Sequence, residues 1–395
     1  MQRRDFLKMA QGAGTAAWLG LQAPAWAQGA AQRAAGAADR ILVLIELKGG
    51  NDGLNTVVPH ADPLYAQLRP TIGVRADEVI RLEPRWGLHP ELKPLVALWE
   101  KNELAIVQGV GYPQPNLSHF RSIEIWETGS RSNEYLDDGW LTRAMKTALA
   151  GGPGYTAEGV HIGGGDLGPL LGSRAVSLGN PEAFLAQARL ARPAPVRGSA
   201  ALQHILRVEE DVARAADGLR GAPYPFTTEF PRGAFGNAVR AASEIVASQR
   251  GKAGVPILTL SLGSFDTHQN QPGTHANLLR QLAEGMAALR GALMEIGAWD
   301  RTLVMTFSEF GRRARQNQSN GTDHGTAAPQ FVAGGAVRGG WYGRAPDLAA
   351  LDAAQNLVHT VDFRQLYATV VRDWWGADPL PVVRGRFDTL GFLRT

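Results

Sequence analysis

The sequence predicts an α/β fold built on a mostly parallel central sheet, and three observations carry that expectation. "ILVLIEL", residues 41–47, is a continuous apolar run rich in branched side chains, the pattern of a strand covered on both faces. Similar runs return at 104–110, 257–262, 303–307 and 330–333. Between two of them, Leu278, Leu282, Met286, Leu289, Leu293 and Ile296 recur at steps of four and three, the apolar stripe of one long helix.

Taken in chain order, residues 1–27 open with Arg3 and Arg4, then Phe6-Leu7-Lys8, a mild Ala/Gly-rich run and an Ala25-Trp26-Ala27 site. That pattern predicts a twin-arginine signal peptide cut after Ala27, and so the translocase of that route as a partner during export. Residues 28–39 are small and polar and read as a flexible tether. One α/β domain is expected over 40–395. A helix near 91–102 leads into the strand at 104, residues 257–307 form a right-handed strand-helix-strand unit, and a helix near 363–374 closes the chain. Residues 140–255 show little periodicity: a glycine-rich stretch and a proline-containing linker precede a helix at about 200–218, and an insertion or cap on the sheet is expected there.

Composition narrows the chemistry. With no cysteine, disulfides, thiolate catalysis and zinc-thiolate or iron-sulfur sites are excluded, so any metal must be held by His, carboxylate, amide or hydroxyl groups. The net charge is +3, and residues 1–27 hold three basic groups and one acid, leaving +1 beyond them. With no dense Lys/Arg face, nothing points to nucleic acid. After residue 27 no run approaches the roughly 20 apolar residues of a membrane span. The expected location is periplasmic or otherwise extracytoplasmic.

Ligands of open α/β sheets gather outside the carboxyl ends of the strands. Here the strand at 41–47 runs into Asn51, Asp52 and Asn55, the strand at 257–262 into Asp266 and His268, and the strand at 303–307 into Glu309 and Arg312; Asp323-His324 stand just before the strand at 330. Residues two apart in extended chain face one side, so Asp266 and His268 can address one ion. A carboxylate with imidazole suits zinc, manganese or iron, whereas Asp52 with Glu309 offers oxygen only and suits magnesium or calcium, or no ion. His60 and His89 read as loop residues near helix starts, and His275 as part of the long helix's first turn.

"DTH", the long helix ending in "WDRTLVMTFSEFG", and "TDHGTAAPQFVAGG" resemble the metal-binding core of the alkaline phosphatase and sulfatase superfamily. The chain from "LKGGNDGLNTVVP" through "LSHFRSIEIWETG" to "GTDHG" is similar to an exported bacterial family known only as domain of unknown function 1501. The resemblance implies an alkaline-phosphatase-like three-layer sandwich. It implies that Asp52, Asp266, His268 and His324 surround metal; with Glu309 and Asp323 from the residue reading, the expected set holds one ion of zinc or manganese with room for a second of magnesium or calcium. Ser118 lies where that superfamily keeps its nucleophile; His119 would be a general acid or metal ligand, and Arg121 or Arg312 would clamp a small anionic substrate. The chain departs from the pattern at Glu309-Phe310, where an adjacent Asp-His pair is usual. The expected function is an exported metal-dependent hydrolase of phosphate or sulfate esters, the alternative a non-catalytic metal-binding or envelope-associated protein on the same fold.

Overall fold

The computed structural model describes residues 39–150, 155, 157–179, 224–249 and 254–394. The expected signal peptide, all of the tether but its last residue, and the helix at about 200–218 lie outside them. The central sheet contains β1 (Ile41–Leu47), β2 (Leu104–Gly111), β3 (Gly159–Ile162), β4 (Ala175–Leu178), β5 (Ile257–Leu262), β6 (Thr302–Phe307), β7 (Ala328–Ala333), β8 (Gly340–Tyr342) and β9 (Val361–Asp362). Its order is β8-β2-β7-β6-β1-β5-β3-β4, with β9 also paired to β2. Every pairing is parallel except the two made by β7, which runs against β2 and β6.

The predicted class, α/β with a mostly parallel sheet, is therefore observed, and the run at 330–333 belongs to its one antiparallel strand. That reversal matters: the amino end of β7 lies at the edge where the other strands end, so the loop preceding it is delivered there too.

Helices cover both faces, giving three layers. Along β1, Val43, Ile45 and Leu47 point into one apolar cluster with α3 (Ala234–Ser248) and α4 (Gln271–Glu295). Leu42 and Leu44 point into the other, with α1 (His119–Thr128), α2 (Trp140–Thr147) and α5 (Phe363–Thr369). Burial on both sides is why the strand reads as unbroken apolar sequence. The stripe predicted on α4 is realised, with Leu278, Leu282, Met286, Leu289 and Leu293 all buried.

Two expectations change. The segment at 91–102 is a 3-10 turn, Pro90–Leu95, followed by a short helix, Val96–Glu100. Pro94 has no N–H to donate, which breaks the α-helical ladder. The described parts of 140–255 are not a cap: β3 and β4 extend the sheet, and α2 and α3 pack on its opposite faces. Their short strands and alanine-rich helix gave too weak a periodicity to read. Leu44 has no exposed surface in the central strand, so Leu44→Ala should lower unfolding free energy by about 2–5 kcal/mol, measured as a shifted urea midpoint at unchanged slope.

Candidate metal centre

The chain reaches the site through tight turns at the carboxyl edge. After β1 it folds back at Gly49 (φ +117) and Gly50 (φ +81). A Cβ on Gly49 would stand 2.5 Å from the Asp266 nitrogen, and one on Gly50 would stand 2.4 Å from the Phe310 ring, so only glycine fits both the dihedrals and the space. This lets the loops after β1 and β5 pack against each other.

His119, Asp266 and His324 meet there, each offering an atom within 4.8 Å of the others. His119 Nε2 lies 3.3 Å from Asp266 Oδ2, and His324 Nε2 lies 3.2 Å from Asp266 Oδ1. His268 joins them, its Nε2 at 3.0 Å from Asp266 Oδ1 and 3.0 Å from His324 Nε2. Three imidazoles from α1, from the loop after β5 and from the loop before β7 thus turn their Nε2 atoms toward one carboxylate. Phe310 walls the group, its ring 4.9 Å from that of His119 and 4.4 Å from that of His324.

Each Nδ1 is held from behind. His324 Nδ1 lies 2.8 Å from the Leu117 carbonyl oxygen, which can only accept, so the proton sits on Nδ1 and the Nε2 lone pair faces the cluster. His119 Nδ1 donates to Glu309 Oε1 at 2.9 Å, and His268 Nδ1 is 3.5 Å from Asp323 Oδ1. Anchoring one ring nitrogen to orient the other is the usual outer shell of a histidine metal site.

Glu309 and Asp323 therefore stand behind imidazoles. The Glu309 side chain is 1% exposed, its oxygens also accepting from the Gly49 N–H at 2.8 and 3.1 Å. Asp52 is likewise apart from the cluster, its carboxylate fully buried against the Arg69 guanidinium at 2.5 Å, with Gln271 Nε2 donating to the same oxygen.

Neither arginine expected to clamp substrate is free. Arg312 is buried, donating through Nε to the Gly50 carbonyl (2.7 Å), through one terminal nitrogen to that of Thr322 (3.0 Å), and through the other to Gly49, Phe265 (3.1 Å) and Asp266 Oδ1 (2.6 Å). Arg121 donates to the carbonyls of Arg131, Ser132 and Glu134, pairs with Glu124 and stacks on Tyr135, which makes it a staple of that loop. Ser118 occupies the N-cap position of α1 and is exposed, and its hydroxyl makes no capping bond. Both nitrogens of His119 are engaged, Nδ1 by Glu309 and Nε2 by Asp266.

Electrostatics favour an ionised centre. Burial pushes the Asp266 carboxyl up, but hydrogen bonding and charge from Arg312, with His324 and His268 adding to it, hold it at about 2. Burial holds the His324 imidazole below its ordinary value, against the opposing pull of Leu117 and Asp266. Three imidazole nitrogens and a carboxylate oxygen form a donor set suited to zinc, with the Nε2 atoms of His268 and His324 3.0 Å apart beside one Asp266 oxygen.

Sequence reading missed Arg69 and Gln271 as partners of Asp52 and the anchoring role of the Leu117 carbonyl. His60 and His89 are loop residues as expected: His60 contacts the Glu83 carbonyl, and His89 caps the 3-10 turn by accepting from Glu91 N–H. His275 lies buried in α4, its Nε2 2.9 Å from Asn51 Oδ1.

Residues 183–376 match the family model described as a protein of unknown function, DUF1501. The matched stretch holds Asp266, His268, Glu309, Arg312, Asp323 and His324, while Ser118 and His119 precede it. Comparison with curated proteins finds no match. Among solved structures, the chain is similar to an alkaline phosphatase superfamily protein from Vibrio parahaemolyticus (11% identity, 87% of this chain and 68% of that one, TM-score 0.42). It is also similar to a phosphonate monoester hydrolase from Silicibacter pomeroyi (15%, 90% and 78%, 0.37) and to a sulfatase from a Pseudoalteromonas species (11%, 90% and 72%, 0.38).

Burial holds both His89 and His275 at about 4 in the fold. Unfolded histidine titrates near 6.5, so between about pH 6.5 and 4 the unfolded chain binds more protons and stability falls as pH falls. Thermal midpoints measured across that window should drop toward acid, and His275→Gln should flatten the slope.

Proposed function

We propose that this chain is an exported, metal-dependent hydrolase of phosphate or sulfate esters, its ion held by His119, Asp266, His268 and His324. The observation that carries the reading is the convergence of three Nε2 atoms on the Asp266 carboxylate, each ring braced through Nδ1. Such a set is costly to assemble without a cation to share. The Arg3-Arg4 start and the Ala25-Trp26-Ala27 site support export by the twin-arginine translocase, and among the described residues no helix is long and apolar enough to cross a membrane.

When bound, a zinc or manganese ion would act as a Lewis acid toward a non-bridging oxygen of the ester. The chain's own residues do the rest. Asp266 is kept ionised by Arg312, so the centre retains its charge at neutral pH. Ser118 presents an uncommitted hydroxyl beside His119, at the amino end of a ten-residue helix whose free N–H groups favour an anion. Attack by Ser118 Oγ on phosphorus or sulfur would form a serine ester and release the alcohol, and water would then free the acid.

One observation favours the second reading, an envelope protein that binds an ion without turnover: the guanidiniums of Arg121 and Arg312 are spent on carbonyl and carboxylate acceptors. The test is turnover of chromogenic phosphomonoester, phosphodiester and sulfate ester substrates by the zinc- or manganese-loaded full chain. Turnover is expected on at least one, lost on chelation and lowered roughly a hundredfold or more in Ser118→Ala. Folded, metal-loaded protein inert on all three would leave the binding reading. Unchanged turnover in Ser118→Ala would remove that hydroxyl as nucleophile.

A further inference from the structure

We infer that this is a single-ion centre in which the Arg69 guanidinium supplies, from the protein itself, the positive charge beside Asp52 that a second cation would otherwise bring. The inference rests on the ion proposed above at His119, Asp266, His268 and His324.

A second, harder ion would need oxygen ligands, and the two carboxylates the sequence offers as an oxygen-only pair are Asp52 and Glu309. Neither fits. Asp52 Oδ2 accepts from Arg69 at 2.5 Å and from Gln271. Arg69 is itself locked, donating to Asn55 Oδ1 (2.8 Å) and to the carbonyls of Ala314 (2.9 Å) and Arg313 (2.9 Å). Gln271 is fixed in turn by Thr267 and Thr322, whose hydroxyls donate to its Oε1 at 3.1 and 2.6 Å. Asp52 Oδ1 is buried with no hydrogen-bond partner among the described residues, so one oxygen remains, with a full positive charge against its sister atom. A divalent ion there would face that charge at close range in a water-poor interior, where repulsion is weakly screened.

Glu309 is equally committed. Its two oxygens accept from the Gly49 N–H, Oε1 accepts from His119 Nδ1, and Oε2 lies 3.5 Å from the Ser308 hydroxyl. Turning it toward an ion would release His119. A buried carboxylate must still be neutralised, and at Asp52 the chain does this with a residue that cannot dissociate. Glu309 thus positions His119, and the Asp52–Arg69 pair closes the region a second ion would enter.

The test is titration of the metal-stripped full chain with cobalt(II), following its visible absorption bands, with elemental analysis of the product. Saturation at one equivalent is expected. Asp52→Asn should leave cobalt affinity within about threefold, Asp266→Asn and His324→Ala should each weaken it at least about a hundredfold, and Glu309→Gln about tenfold by loosening His119. Because Asp52→Asn leaves Arg69 buried without its partner, a double variant, Asp52→Asn with Arg69→Gln, carries a neutral pair there and should also saturate at one equivalent. A second equivalent that disappears in Asp52→Asn, or in the double variant, overturns the inference and leaves the hydrolase reading intact. One equivalent with no turnover on any ester does the reverse. Absence of cobalt binding overturns both.

Discussion

A single buried guanidinium sets the geometry on which the rest of this edge depends. Arg312 joins the turn after β1, the turn after β5 and the loop before β7 by donating to carbonyls of Gly49, Gly50, Phe265 and Thr322. Those carbonyls lie past the ends of their strands, where no ladder serves them, and a planar group with five N–H donors satisfies several at once. Its remaining contact is with Asp266, the carboxylate on which the imidazoles converge. Structural support and electrostatic tuning of the centre are therefore the same interaction, and lysine, with a compact ammonium, could not replace it.

Around that anchor the charges sort by distance from the converging Nε2 atoms. Asp266 faces them. Glu309, Asp323 and the Leu117 carbonyl stand one bond further out, each fixing the rotation of one ring. Asp52 stands further still, neutralised by Arg69. Phe310 packs against the rings of His119 and His324 and so serves as a wall. The result is one braced cluster of three imidazoles and a carboxylate, with the neighbouring carboxylates engaged by donors of the protein.

Much of this was legible in the sequence, for physical reasons. Strands buried on both faces need unbroken apolar runs, so β1, β5 and β6 announced themselves, and the stripe on α4 could belong only to a long helix with one buried face. The rule that ligands gather at the carboxyl ends then pointed to Asp266 and His268, and equally to Asp52 and Glu309. What sequence could not reveal was the division of labour among carboxylates. Asp52, Glu309 and Asp266 all follow apolar strands, and only long-range pairing separates them: Glu309 with Gly49, Asp52 with Arg69, Asp266 with Arg312. Arg69, at the end of a short helix and before a proline, looks like a surface residue. Arg312, expected to clamp substrate, is buried instead. The sense of β7 was equally hidden, since an apolar run carries no direction; yet that sense places His324 at the site.

The central claim is that three imidazoles and one carboxylate bind a cation together. X-ray absorption at the zinc edge of zinc-loaded full chain tests it most directly. The account predicts one zinc per chain with a first shell of nitrogen and oxygen near about 2.0–2.1 Å and the outer-shell scattering of three imidazole rings, one ring lost in His119→Ala. A shell of oxygen alone, or a ring count unaltered by removing His119, would contradict it.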